Sequence, residues 1–261
     1  MKQPLLDVML ASDKRKEVLL LLNDGPQEIE HLLKSLNTTR QALLPQIKTL
    51  ENHYLISHQK DMLELTPIGK ILVKELIPLL RTIEFFDVDI EYLGTQKLGF
   101  IPQNLFNRVK EIGSSKVVTP ELANMYDLNE EFHEASKTSK SVYIVTSFIY
   151  SSFCELTSEL IKNNVEMHFI VSPELMDKLK GHKYINTAKL LENNLIHVYV
   201  YPKELDFLFM GCNDHYLIVN PLSYDGSTDR KYIMSANKDA LQWGHEFFEY
   251  YLKDSTPVTE I

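Results

Sequence analysis

Cysteine is nearly missing from this sequence. Cys154 and Cys212 are the only two in 261 residues, too few for a disulfide framework or a zinc knuckle, and they fit a reducing cytoplasm. Long apolar runs are missing as well. Charge interrupts each of them within a few residues, so no segment is expected to span a bilayer. The opening MKQPLLDVMLASDKRK has a short apolar core and no small-residue cleavage pattern, so no signal peptide is expected. The chain has no Gly-rich phosphate loop, Gly-x-Ser-x-Gly elbow, HExxH or CxxC, and its nine histidines are scattered. No catalytic residue, metal site or cofactor is therefore assigned. Asp214-His215, the nearest acid–imidazole pair, falls in a turn between two expected strands and reads as surface chemistry.

Nor is there an excess of positive charge: 27 Lys and Arg stand against 36 Asp and Glu, a net charge of −9. The imbalance is unevenly spread. Residues 1–86 hold eleven basic and eleven acidic groups, so the whole deficit lies downstream. Phosphate binding depends on local cations rather than the global sum. With 44% hydrophobic residues, the chain can bury one large core or two ordinary ones. The expected fold class is α+β: an N-terminal winged helix-turn-helix, a helical linker and a C-terminal mixed α/β domain. The expected domains are 1–86 and 87–261, the latter divided into a helical connector, 87–140, and a core, 141–253.

The stretch NTTRQALLPQIKTLEN, residues 37–52, reads as a helix presented to a partner. Leu43, Ile47, Leu50 and Tyr54 line one stripe for a core, while Gln41, Lys48 and Asn52 fall opposite. Thr38 or Thr39 can cap its first turn. A shorter amphipathic helix, 26–36, precedes it, and another, 13–23 with Ser12 as cap, comes before that. Pro45 removes a hydrogen bond to the Gln41 carbonyl, so the helix either kinks there or begins its regular part nearby. Two short strands around the polar tip His58-Gln59-Lys60 follow, and Thr66-Pro67 then starts a long helix. Helix, helix, helix, hairpin, helix is the winged-helix order, with the third helix directed at the DNA major groove. The candidate DNA-binding residues are Thr39, Arg40, Gln41, Lys48, His58, Gln59 and Lys60, together with Lys14 and Arg15. Ile68, Leu72, Leu76, Leu79 or Leu80, Ile83 and Phe86 give the long helix an apolar stripe suited to homodimerisation, with Pro78 expected to bend it.

Downstream, helices are expected at 102–112, 120–125 and 130–138. From Ser141 the pattern alternates strands (141–146, 165–171, 196–201) with helices (153–163, from Pro173, 185–193), implying a largely parallel sheet. Three consecutive strands follow, 207–211, 216–221 and 232–235, the last two separated by a loop at 223–229. A closing helix, 238–253, carries Trp243 and Phe247 toward the core. Ligands in such sheets bind beyond the carboxyl ends of the parallel strands. Thr146, Ser147 and Ser172 are therefore candidate ligand-binding residues, offering neutral hydrogen bonds to a small polar metabolite.

SDKRKEVLLLLNDGP, LNTTRQALLPQIKTLE, LTPIGK and, above all, YDGSTDRKYIMSANKDALQWGHEFFEYYLKDS resemble archaeal winged-helix transcription regulators carrying the methanogenesis-regulatory-protein middle domain. Trp243-Gly244 followed by Phe247-Phe248-Glu249 is the most specific part. That resemblance implies a dimeric regulator with double-stranded operator DNA and a small-molecule effector of unknown identity as partners, and no membrane. The second domain also resembles a degenerate half of the phospholipase D fold. Ser235-Ala236-Asn237 matches that fold's Ser-x-Asn, which by that resemblance adds Ser235 and Asn237 to the candidate ligand-binding residues, but Asp214-His215-Tyr216-Leu217 stands where His-x-Lys belongs and lacks the lysine. Two functions are therefore weighed, a ligand-responsive regulator and a DNA-tethered phosphodiesterase of phospholipase D type, with the missing lysine favouring the first.

Overall fold

The computed structural model describes residues 3–121, 128–150, 152–180, 192–227 and 230–259. Two compact units divide the chain, Met1–Leu80 and Arg81–Ile261.

In the first unit, α1 (Leu5–Leu10) and α2 (Asp13–Leu21) lead into β1 (Gln27–Glu28), α3 (Ile29–Ser35) and α4 (Arg40–Asn52). The hairpin β2 (Ile56–Gln59) and β3 (Met62–Leu65) and the long α5 (Pro67–Asp87) complete the order expected of a winged helix. β1 adds a strand to the hairpin, giving the antiparallel order β1-β3-β2. Val18, Leu19, Leu32, Leu43, Ile47, Leu50, Leu55 and Leu63 bury together. α4 starts later than expected because Asn37 takes a left-handed turn (φ 42°) and Thr39 caps the helix by accepting from the Ala42 N–H at 3.4 Å. The helix runs unbroken through Pro45, whose carbonyl accepts from Thr49 Oγ1 at 2.9 Å. Tyr54 departs from the expected core stripe. The helix ends at Asn52, and Tyr54, itself left-handed at φ 58°, is 65% exposed.

Thr66 ties the hairpin to α5. Its hydroxyl accepts from the Gly69 N–H at 3.0 Å and donates to the Tyr54 carbonyl at 2.6 Å. Gly69 is required by this closeness, since a Cβ there would lie 2.0 Å from the Leu55 carbonyl oxygen. α5 is continuous past Pro78. Val73 and Leu76 belong to the first core and Phe85 to the second, so the units part inside the helix and not at residue 86.

The second unit is built on an eight-stranded sheet, ordered β11-β7-β6-β5-β8-β9-β10-β4. Its strands are β4 (Ser115–Val118), β5 (Ser141–Thr146), β6 (Glu166–Val171), β7 (Ile196–Val200), β8 (Phe207–Cys212), β9 (Leu217–Pro221), β10 (Tyr232–Ser235) and β11 (Thr256–Pro257). β5, β6 and β7 are parallel and every other pairing is antiparallel, as the switch from strand–helix to strand–strand spacing implies. Alternation along β5 separates the two faces. Val142 packs with Leu160 of α9 (Phe153–Lys162) and Leu175 of α10 (Pro173–Leu179), as does Phe132 of α8 (Glu130–Ser136). Val145 packs with Trp243, Phe247 and Tyr251 of α11 (Lys238–Asp254).

Residues 87–140 are not a helical connector. Among the described residues from 88 to 112 only short turns form, α6 (Ile90–Leu93), α7 (Gln103–Phe106) and a 3-10 turn at Val109–Ile112, β4 pairs with β10 at the sheet edge, and α8 answers to the helix expected over 130–138. Tyr92, Leu93, Phe100, Ile101, Leu105, Val109 and Ile112 bury in the core shared with α11. The single helix expected over 102–112 breaks at Arg108 (φ −113°). Its guanidinium forks between Glu111, at 2.7 and 2.9 Å, and Glu246, at 2.5 and 3.2 Å. The helices expected at 120–125 and 185–193 lie largely outside the described residues, as does the end of the 223–229 loop.

Two aromatic side chains of α11 place their polar tips on this irregular segment. Trp243 Nε1 donates to the Leu105 carbonyl at 3.0 Å and the Tyr251 hydroxyl to the Phe100 carbonyl at 2.8 Å, both in buried surroundings. Tyr251→Phe keeps the ring and removes one donor. It is expected to destabilise the second unit by about 1–3 kcal/mol, the cost of a buried carbonyl left unpaired. Hydrogen exchange of the 100–112 amides, compared with those of α4, measures the loss and its location.

Candidate nucleic-acid interface and ligand cavity

The outer face of α4 and the hairpin tip carry most of the expected DNA contacts. Gln41, Gln59 and Lys60 are exposed and make no side-chain hydrogen bond to other described residues. Lys60 stands at the tip in a left-handed conformation, φ 57°. Lys48 is exposed, with Nζ 3.6 Å from Glu51, whose other oxygen lies 3.5 Å from His58 Nδ1, so one carboxylate sits between helix and hairpin. Arg40 pairs with Glu30 of α3 through Nε at 3.0 Å and through Nη2, with both side chains more than half exposed. Exposed pairs of this kind contribute little stability and exchange readily for another anion. Thr39 serves as the helix cap. Lys14 is partly exposed on α2.

Arg15 is a different case. Its Nε donates to the Val8 carbonyl at 2.5 Å, Nη2 to the Asp7 carbonyl at 3.2 Å and Nη1 to Gln46 Oε1 at 3.1 Å. The guanidinium is thus occupied in tying α1 and α4 to α2.

The five candidate ligand residues do not converge. Register aligns Thr146 with Phe209 of β8 and Asn220 of β9, whereas Ser235 aligns with Leu217, Cys212 and Tyr143. Ser235 and Asn237 therefore lie toward the opposite end of the sheet from Thr146, Ser147 and Ser172, and about 14 Å across it at the usual strand spacing. Their polar atoms are also engaged. Ser235 Oγ donates to the Ile112 carbonyl at 2.7 Å, and Asn237 caps α11 through the Asp239 N–H at 3.1 Å. Ser172 caps α10 through the Leu175 N–H at 3.2 Å. Ser147 Oγ lies 3.4 Å from the Leu208 carbonyl, and Thr146 Oγ1 donates to the Phe148 carbonyl at 2.7 Å.

Thr146 alone of the five lines an internal cavity, of about 50 Å³, between the sheet and α8, α9 and α10. Phe132, Phe148, Tyr150, Phe153 and Phe209 give it an apolar wall, in place of the polar pocket expected. His133, missed in the sequence, also lines it. His133 Nε2 meets Glu159 at 2.9 Å, and Lys137 Nζ meets the same oxygen at 3.0 Å. Hydrogen bonds from His133 and then Lys137 hold the Glu159 carboxyl down at about 2. An ionised Glu159 can only accept, so Nε2 carries the hydrogen. The other ring nitrogen, Nδ1, is buried without a partner among the described residues. Glu-Phe-His at 131–133 gives no signal of this in the sequence, because the pairing to Glu159 comes from another helix.

The sequence model for the methanogenesis regulatory protein FilR1 N-terminal domain matches residues 4–84, and that for the FilR1 middle domain matches residues 125–254. The chain belongs to the FilR1 family. A methanogenesis regulatory protein FilR1 from Methanothrix harundinacea (strain 6Ac) is 21% identical over 97% of this chain and 58% of its own length. The chain thus spans little more than half the length of that FilR1 relative. Two solved structures share 12% identity. An archaeal chromatin protein, TrmBL2, matches over 97% of each chain at a TM-score of 0.40. A phospholipase D family member, Nuc from Salmonella typhimurium, matches 56% of this chain and 97% of its own at 0.39. The two FilR1 matches leave out residues 85–124, the segment whose carbonyls receive Trp243 and Tyr251. Of the residues most specific to the family resemblance, Trp243, Gly244, Phe247 and Phe248 are all buried, so they hold the second unit together. Among the described residues no helix is long and apolar enough to cross a membrane.

Proposed function

We propose that this chain is a cytoplasmic, sequence-specific DNA-binding transcription regulator, acting as a homodimer and responding to a small molecule in its second unit. The observation that carries the reading is the outer face of α4, with Gln41 and Lys48 exposed beside a hairpin tip bearing Gln59 and Lys60. Membership of a family named for regulation supports it. A phosphodiesterase reading has less support. Asp214 accepts from the Lys140 N–H at 2.8 Å, His215 Nε2 lies 3.3 Å from Thr138 Oγ1, and Ser235 is committed to a backbone carbonyl. These are the contacts of a loop being closed.

Gln41→Ala is expected to relax sequence choice at a cost of about 1–3 kcal/mol for a lost base contact. Lys48→Ala and Lys60→Ala are expected to weaken binding to all sequences and to lower the salt slope by about one each. Arg15→Ala is expected to reduce thermal stability and leave the salt slope unchanged. Gel-shift titrations on a selected operator at several salt concentrations read the binding of all four, and thermal melts read the stability of Arg15→Ala. Unaltered affinity in the Gln41, Lys48 and Lys60 variants rejects this docking face.

The dimer reading rests on α5. Ile68, Ile71, Leu79 and Ile83 are 50%, 67%, 49% and 42% exposed along one side of the helix. A two-fold pairing through such a stripe lets two copies of α4 address successive major grooves. Leu79→Glu combined with Ile83→Glu is expected to give a monomer by sedimentation velocity with weakened binding to a two-half-site operator. A dimer that survives both changes puts the interface elsewhere.

The effector reading now rests on the cavity beside His133. At about 50 Å³ it has room for one or two waters at roughly 30 Å³ each, so a metabolite enters only as the aromatic walls move apart. The expected effector is apolar, with one hydrogen-bonding group for His133 Nδ1. A thermal-shift panel of apolar alcohols and amides tests this, since a ligand at a hundred times its Kd adds about 2.7 kcal/mol of stability. A hit equally strong in a His133→Phe, Thr146→Val variant places the effector outside the cavity.

A further inference from the structure

The histidines that are scattered along the sequence come together in one place. Glu166 and His168 are two residues apart on β6, so their side chains leave the same face of the sheet. In the parallel register of β6 and β7, His168 stands opposite His197. Glu166 Oε1 lies 2.9 Å from His197 Nε2 and 3.5 Å from His168 Nε2. The three donor atoms all fall within 4.8 Å of one another.

We propose that Glu166, His168 and His197 form a binding site for a divalent transition-metal ion of the zinc class. Two imidazole nitrogens and one carboxylate oxygen suit zinc and its neighbours, whereas calcium and magnesium take mostly or wholly oxygen ligands. Zinc bound at 2.0–2.1 Å to such donors holds them about 3.4 Å apart in a tetrahedron. The two distances from Glu166 already bracket that value. The third pair, the two imidazole nitrogens, lies within 4.8 Å and closes as the more exposed His197 ring tilts out of the stack. His168 lies between Tyr143, stacked at 4.8 Å and 6°, and His197, stacked at 4.8 Å and 21°. Tyr143 is in turn held edge-on by His245 and Phe248 of α11. A ligand ring pinned by its neighbours loses less freedom on binding, which raises affinity without a new contact. Access is from solvent. The Glu166 and His197 side chains are 47% and 39% exposed while that of His168 is 17% exposed, so the ion has an open side where water completes its coordination.

With only two residues of β6 and one of β7 involved, the bound ion clips two adjacent parallel strands at the end where β6 begins. Nothing in this requires the DNA-binding reading, and the two are tested separately.

Isothermal titration of the untagged full chain with zinc chloride, in a weakly coordinating buffer, is the experiment. One ion per chain with a micromolar or tighter Kd is expected. His197→Ala and Glu166→Gln alter the two more exposed donors and leave the Tyr143–His168 stack in place, so both are expected to stay folded by circular dichroism while losing at least tenfold in affinity. His31→Ala, at an exposed histidine of α3, is expected to bind as the parent does. Cobalt(II) in place of zinc is expected to give a visible d–d spectrum that His197→Ala abolishes. Absence of stoichiometric zinc binding overturns the proposal. So does binding that is equally tight in folded His197→Ala and Glu166→Gln.

Discussion

The second unit depends on how one helix satisfies its own polar atoms. Trp243, Phe247 and Tyr251 succeed one another at intervals of four along α11, and all three are buried. Each such ring removes on the order of 150–250 Å² from water, worth several kcal/mol at about 25 cal/mol per Å². The hydrogen bonds to Leu105 and Phe100 add only about 1 kcal/mol each. Burial supplies the energy, but the hydrogen bonds decide the arrangement, because an indole N–H or phenol O–H left unpaired in that core would cost more than it gains. The path of residues 100–112 is therefore set by where two carbonyls must be, and Arg108 locks it by reaching Glu246 on the same helix. Gly244 belongs to the same constraint. A Cβ there would come within 2.8–2.9 Å of Leu217 and Cys212, so the helix lies as close to the sheet as a bare backbone allows.

That dependence explains what could and could not be read in advance. Two helix caps were legible, Thr39 and Thr66, each a side chain serving the backbone three residues on; Ser12 starts α2 without a side-chain cap, and Ser172 and Asn237, expected to bind a ligand, cap α10 and α11. The strands from 141 to 235 were legible by their β-branched and aromatic runs, and the change from parallel to antiparallel pairing by the loss of intervening helices. Residues 87–112 were not, since they have no period of their own and take their conformation from a helix more than a hundred residues away. Tyr54 misled because the stripe it continues runs past the end of the helix that carries it.

The candidate sites follow the same division. On α4 and the hairpin, exposure is a local property of an amphipathic pattern, and Gln41, Lys48, Gln59 and Lys60 lie on the surface as expected. Arg15 is taken up by carbonyls, since a basic residue on the first turns of a helix looks the same whether it faces phosphate or the carbonyls of a preceding helix. The five-residue pocket failed on register. Ser235 and Thr146 both end strands, but β10 runs opposite to β5, so two C-terminal strand ends point to opposite ends of the sheet. No count of strands along the chain gives that direction. His133 and the Glu166, His168 and His197 group needed pairing across elements before they could be recognised at all.

The edge strand β4 carries a consequence for how the protein is made. Among the described residues its strand pairing is with β10, from Ser115 opposite Ser235 to Val118 opposite Tyr232. On the ribosome, the partner emerges only after on the order of a hundred further residues, a wait of about 5–20 seconds at usual rates of synthesis. During that interval Val117 and Val118 have no sheet to join, and the carbonyls of Phe100 and Leu105 have not yet met α11. The first unit, complete by then, can fold while the second is still unfinished, so the nascent chain passes through a stage with one folded end and a stretch of apolar, strand-forming sequence open to chaperones or to the same stretch of a neighbouring chain.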